Sequence, residues 1–217
     1  MADHVYKFSE IPKGQRWKFF WDYYKIPTAL IMIGVIALIL ILQTTVFAPK
    51  KDLAILSATQ IYVARDTWQQ AEEGFSSLPL DLNEDGRILV EINDNYMDST
   101  MRETDPQTYM VIQSKLMASL STAESALQIV DDDTYAYFEE QALLGTYAEL
   151  PSAMGHNADE VIKIPLKELK PFKDVQDLPD GLFITLRPKA AMQLGDSEKK
   201  LADYEKQIEA LFLMIES

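Results

Sequence analysis

"ALQIVDDDTYAYFEEQALLG", Ala126 to Gly145, decides the fold. Ala126 to Val130 is a short apolar run with two β-branched residues, too brief for a helix and bounded by charge, which reads as a buried strand. Three carboxylates follow. From Asp132 the chain changes period, and the helical pattern of "DDTYAYFEEQALLG" runs to Gly145, a residue suited to ending it. A strand passing directly into a helix through acidic residues is one half of a β-α-β unit, with the carboxylates at the positive end of the helix.

The same alternation occurs twice upstream. "LAIL" (Leu53 to Leu56) is a strand, and "DTWQQAEEGFSSL" places Trp68, Ala71, Phe75 and Leu78 at helical spacing, with Thr67 to Gln70 as a capping box. "RILVEI" is a second strand. In "DPQTYMVIQSKLMASLS", Asp105 caps a helix, Pro106 suits its first position, and Tyr109, Ile112, Leu116 and Leu120 form its inner face. Downstream, "VIKIPL" and "GLFITLRP" are strands. "SEKKLADYEKQIEALFLMIES" is a closing helix with Leu201, Tyr204, Ile208, Leu211 and Ile215 inward. The expected fold is α/β, a single three-layer αβα lobe with a mainly parallel sheet, because the strands are continuously apolar rather than alternating.

In front of this lobe, no charge occurs from Ile26 to Pro49. The run predicts a transmembrane helix over 26–48, since about 20 apolar residues cross the roughly 30 Å hydrocarbon core. Lys7, Lys13, Arg16, Lys18 and Lys25 precede it and only Lys50 and Lys51 follow closely, which predicts a cytoplasmic basic and aromatic tail over 1–25 and an extracytoplasmic domain over 49–217. Trp17, Trp21, Tyr23 and Tyr24 would form the interfacial belt. Val46-Phe47-Ala48 has the small residues of a cleavage site. The long apolar run and Pro49 nevertheless favour a retained signal-anchor in the cell membrane.

The charge is uneven. The whole chain carries −14, divided into +2 over residues 1–48 and −16 over the rest. So acidic a domain excludes a nucleic-acid footprint. There are no cysteines and two histidines, His4 and His156, which removes disulfides, thiolate chemistry and histidine-based metal sites.

"ALQIVDDDTYAYFEEQALLGTYAELP" resembles the third strand and helix of bacterial ABC-transporter solute-binding proteins, with Gly145, Tyr147 and Leu150 at the "G-x-L-x-x-L" ending. "DGLFITLRP" resembles the segment that re-enters their first lobe. "KFFWDYYK", an anchor and such a domain together are similar to uncharacterised single-pass membrane proteins of Gram-positive bacteria. The resemblance implies lobe 1 of a solute-binding protein. Pro49 to Ser217 leaves no chain for a second lobe, so closure around a ligand is not implied.

Two motifs are candidates for function. "DLNEDGRILVEI" (Asp81 to Ile92) begins like a calcium loop, with oxygens at Asp81, Asn83 and Asp85 and a glycine at Gly86. Ile92 stands where a bidentate acid is required. The readings are a loop that binds calcium weakly as a cofactor, or an Asx-rich turn, and the missing acid favours the turn. The second candidate is the mouth at the carboxyl ends of the strands, where Ser57, Thr59, Asn93, Asp94, Asp131, Asp132 and Asp133 would contact a ligand or partner. Glu139 and Glu140 read as a solvated helix face, and Met97, Met101, Met110, Met117 and Met154 as core filler. No catalytic signature occurs.

These features predict a non-enzymatic, membrane-anchored extracytoplasmic binding protein. Its partner would be a protein of the envelope, and tight small-molecule binding is not expected of an open edge. The alternative is a structural or assembly subunit of an envelope or transport complex, acting through its anchor helix.

Overall fold

The computed structural model describes residues 12, 14, 16–45, 50–122 and 124–216. The chain divides into two units, Met1–Pro49 and Lys50–Ser217.

The first unit contains α1 (Arg16–Tyr23) and α2 (Lys25–Thr45). Trp17 stacks against Phe20 and Trp21, with ring centroids 6.1 and 6.4 Å apart. The large apolar side chains of α2 from Leu30 to Ile41 are exposed. Among the described residues no helix is long and apolar enough to cross a membrane. This corrects the expected transmembrane helix and signal-anchor. With them go the single-pass topology, the cell-membrane location, the membrane as partner and the anchor-borne assembly role. Lys7, Lys13, Val46-Phe47-Ala48 and Pro49 lie outside the described residues, as does the side chain of Tyr23.

The second unit is built on five strands, β1 (Leu53–Thr59), β2 (Val90–Tyr96), β3 (Leu127–Val130), β4 (Ile164–Pro165) and β5 (Phe183–Leu186). Its helices are α3 (Arg65–Gly74), α4 (Met101–Thr104), α5 (Pro106–Ser121), α6 (Asp132–Glu140) and α7 (Glu198–Glu216). The sheet order is β2-β1-β3-β5-β4. β1 runs parallel to β2 and β3, each reached through crossover helices, whereas β5 is antiparallel to both β3 and β4. The sheet is therefore mixed, which corrects the mainly parallel expectation. No α-helix lies between β4 and β5 to carry the chain across a sheet face, so the chain turns back and pairs antiparallel.

Both faces are covered, which is why β1 is almost wholly buried. On one face Leu53 and Ile55 pack with Trp68, Ala71 and Phe75, and with Tyr204, Ile208 and Leu211 of α7. On the other, Leu56 and Ala58 meet Leu116 of α5 and Phe138 of α6. Burying a Leu or Phe side chain contributes about 1.5–3 kcal/mol, so these two clusters hold the layers together.

Several local expectations change. α3 starts at Arg65, so Thr67 lies buried inside it and caps nothing. β2 starts at Val90 and runs on through Asn93 and Asp94 to Tyr96, so those two residues belong to the strand itself. α6 stops at Glu140, with Ala142 in the left-handed region at φ 54°. Gly145 instead serves a close approach: its N–H donates to the Leu186 carbonyl at 2.6 Å, and a Cβ there would meet that oxygen at 3.1 Å. Asp105 does cap α5, accepting from the Thr108 N–H at 3.1 Å, with Pro106 in the first turn. Met110 and Met117 lie exposed on the outer side of α5 rather than in the core.

Candidate functional site

Because β1, β2 and β3 are parallel, their carboxyl ends share one edge of the sheet. Sheet order reverses between β1 and β3, where an open α/β sheet offers its usual crevice. Asp131 fills that crevice. It is buried, and its Oδ2 accepts from the backbone N–H groups of Gln60 and Ile61, the latter at 3.2 Å. Oδ1 accepts from the Thr134 N–H at 2.9 Å and so caps α6. All three are contacts to the chain's own backbone.

Its neighbours are also engaged. The Asp132 carboxylate pairs with Lys163 at 2.7 Å, and the same ammonium lies 4.2 and 4.3 Å from the ring centroids of Tyr135 and Phe183. Asp133 is exposed in the first turn of α6. Thr59 is buried, and its hydroxyl donates to the Ile61 carbonyl at 2.9 Å, closing the turn after β1.

Asp94 differs from these. It stands opposite Ser57 in the β1–β2 register, and the buried Ser57 hydroxyl donates to its Oδ1 at 3.3 Å. The carboxylate is partly buried and forms no ion pair among the described residues. The Lys115 ammonium donates to the Asp94 carbonyl at 2.9 Å, and Arg65 lies 3.5 Å from Glu72. Burial raises the Asp94 carboxyl above its ordinary value, against smaller opposing effects of the Ser57 hydroxyl, the Lys115 charge, Trp68 and Arg65.

The indole of Trp68, fully buried in α3, faces this carboxylate without reaching hydrogen-bond geometry, so its Nε1–H has no partner. Buried donors are nearly always satisfied, and among the described residues Gln128 Nε2 and Arg187 Nε are the other buried donors without a partner. Asn93 points to the opposite face of β2, and its carbonyl accepts from the Asn95 side chain at 3.0 Å. Ser57 and Asp94 are thus brought together. Asp131 to Asp133 form a separate group at the end of β3.

Sequence reasoning placed Trp68 in the core for its helical spacing and missed its N–H. It also missed Tyr62, whose ring meets edge-on at 5.4 Å that of Tyr96, two residues beyond Asp94 on the same strand face.

In the loop from Asp81, side-chain oxygens accept from the loop's own amides. Asp81 takes the N–H groups of Asp85 and Gly86, Asn83 takes that of Asp85, and Asp85 that of Arg87. Ile92 lies buried in β2, so no acid closes the loop at that position. Among the described residues no group of three or more His, Cys, Asp or Glu side chains could hold a metal ion.

No family model, curated protein or solved structure matches this chain, and the expected likeness to solute-binding proteins and to single-pass Gram-positive proteins is withdrawn with the anchor that accompanied it.

Proposed function

We propose that residues 50–217 form a non-enzymatic domain that takes a small polar ligand at the carboxyl edge of β1 and β2, with Asp94 as its contact and Ser57 positioning that carboxylate. The membrane-anchored envelope role is set aside, and the envelope protein partner with it, since among the described residues no helix is long and apolar enough to cross a membrane. The observation that carries the reading is the partly buried, unpaired Asp94 carboxylate beside the unsatisfied Trp68 N–H. Folding alone gives no return for desolvating such groups, whereas recognition uses them. Of the other candidate residues, Thr59, Asp131 and Asp132 have their polar atoms committed within the chain, and Asn93 faces away.

Binding without chemistry fits the surroundings. The Ser57 hydroxyl is buried and faces a carboxyl group rather than an imidazole base, and the chain has no cysteine. The test is a titration of the full chain with one amine, one polyol and one carboxylate, read at the Trp68 indole N–H by NMR. At least one class should shift that resonance saturably in the parent and not in Asp94→Asn. No saturable shift from any class would sink the reading.

A further inference from the structure

Resting on that reading, we infer that the ligand is a small organic cation, an amine or guanidinium carrying an apolar substituent, with its charge on Asp94 and its apolar part against Tyr62 and Tyr96.

Three observations converge on this chemistry. Asp94 offers acceptor oxygens at a partly open position with no ion pair among the described residues, although Arg65 and Lys115 are near enough to act on it. Arg65 lies against Glu72 and Lys115 holds a backbone carbonyl, so the carboxylate keeps its capacity for a charge-assisted hydrogen bond. Next, Tyr96 follows Asp94 by two residues on the same face of β2, and Tyr62, 66% exposed, packs edge-on against it. A carboxylate beside one exposed and one half-buried phenol ring recognises an ammonium through both charge and ring face. Finally, residues 49–217 carry a net −16, a field that gathers cations and repels anions.

The Trp68 indole gives the binding event its signature. A cation on Asp94 changes the field and the hydrogen bonding of the carboxylate that the Trp68 N–H faces, and the indole proton reports that change. A polyol would bring no charge to the carboxylate. An organic acid would compete with Asp94 for the same donors.

The experiment uses the full chain with Trp17→Phe and Trp21→Phe, so that Trp68 is the one indole observed. n-Butylamine hydrochloride is titrated at pH 7, beside n-butanol, sodium butyrate and glucose. Butylamine should shift the indole proton and saturate in the roughly millimolar range expected of a shallow site. Butanol at equal concentration should not. Asp94→Asn should abolish the shift and the exposed Asp133→Asn should leave it unchanged. Tyr62→Ala, at a position exposed enough to spare the fold, should weaken binding about three- to fivefold. No saturable response to butylamine, or an equal response in Asp94→Asn, overturns the inference. A response to glucose or butyrate alone, lost in Asp94→Asn, keeps the binding site and overturns the cation.

Discussion

The Asp131 carboxylate and the backbone N–H of Gln60 join the end of β3 to the turn after β1, so that the crevice between the two strands is closed by the chain itself. The same side chain takes the Ile61 N–H and caps α6 through Thr134. Asp131→Ala removes a cap, worth about 1 kcal/mol, and strands two partly buried amides at about 1–3 kcal/mol each. A loss of roughly 3 kcal/mol or more is expected in urea denaturation, with Asp131→Asn losing less. A loss under about 1 kcal/mol would show the crevice to be open to water or ligand.

Arg187 carries a second structural load. Its guanidinium is fully buried and donates to the carbonyls of Leu120, Thr122, Ser125 and Ala191, two of them at the end of α5, where cationic donors suit the helix dipole. Burial holds the group below the ordinary arginine value. Arg187→Met should destabilise the domain by at least about 3 kcal/mol, since several buried carbonyls lose their donors together. Arg187→Lys should recover little, because one ammonium cannot span the positions a planar fork reaches. Thermal and urea unfolding of both variants measure this.

The layers and helix faces were legible in the sequence because they rest on periodicity. Leu116 of α5 and Tyr204, Ile208 and Leu211 of α7 fall where helical spacing puts them, and Asp105 caps as its type and position require. The antiparallel β5 was not legible, because an apolar run such as "LFITL" has no direction, and pairing depends on the connection before it. Nor was the site. Local pattern grouped seven polar residues at one edge, but Asp131 looks like Asp94 until the donors each carboxylate meets are known. Those donors, Gln60 for one and Ser57 for the other, lie in different segments of the chain.

The loop from Asp81 to Ile92 should behave as a turn. Gly86 and Glu84 adopt positive φ, at 79° and 59°, and the Asp81 carboxylate is aimed at the amides of Asp85 and Gly86. With Ile92 in the core, a calcium ion would lack its bidentate acid. Excess chelator, and then millimolar calcium, should each move the melting temperature by less than about 1 °C. A stabilisation of several degrees by calcium, abolished in Asp81→Ala, would make the loop a metal site.

Asp94 should cost the fold stability at neutral pH, and the sign follows from its protonation. Its folded value lies above the ordinary one because burial disfavours the charge, so between the two values the folded chain binds more protons than the unfolded chain. Stability therefore falls as pH rises through that window, and the cost is fully present above it. Asp94→Asn removes the charge while keeping an acceptor for the Ser57 hydroxyl. The variant should be more stable than the parent at pH 7 by about 0.5–2 kcal/mol, the scale of common stabilising substitutions. The difference should shrink as pH falls towards the ordinary aspartate value of about 3.9, below which Asp94 is protonated in both states. Urea denaturation of both chains from pH 4 to pH 8 provides the comparison. A variant that is less stable at pH 7 would make the carboxylate a structural acceptor for Ser57 and Trp68, and would remove the ground for placing a ligand there.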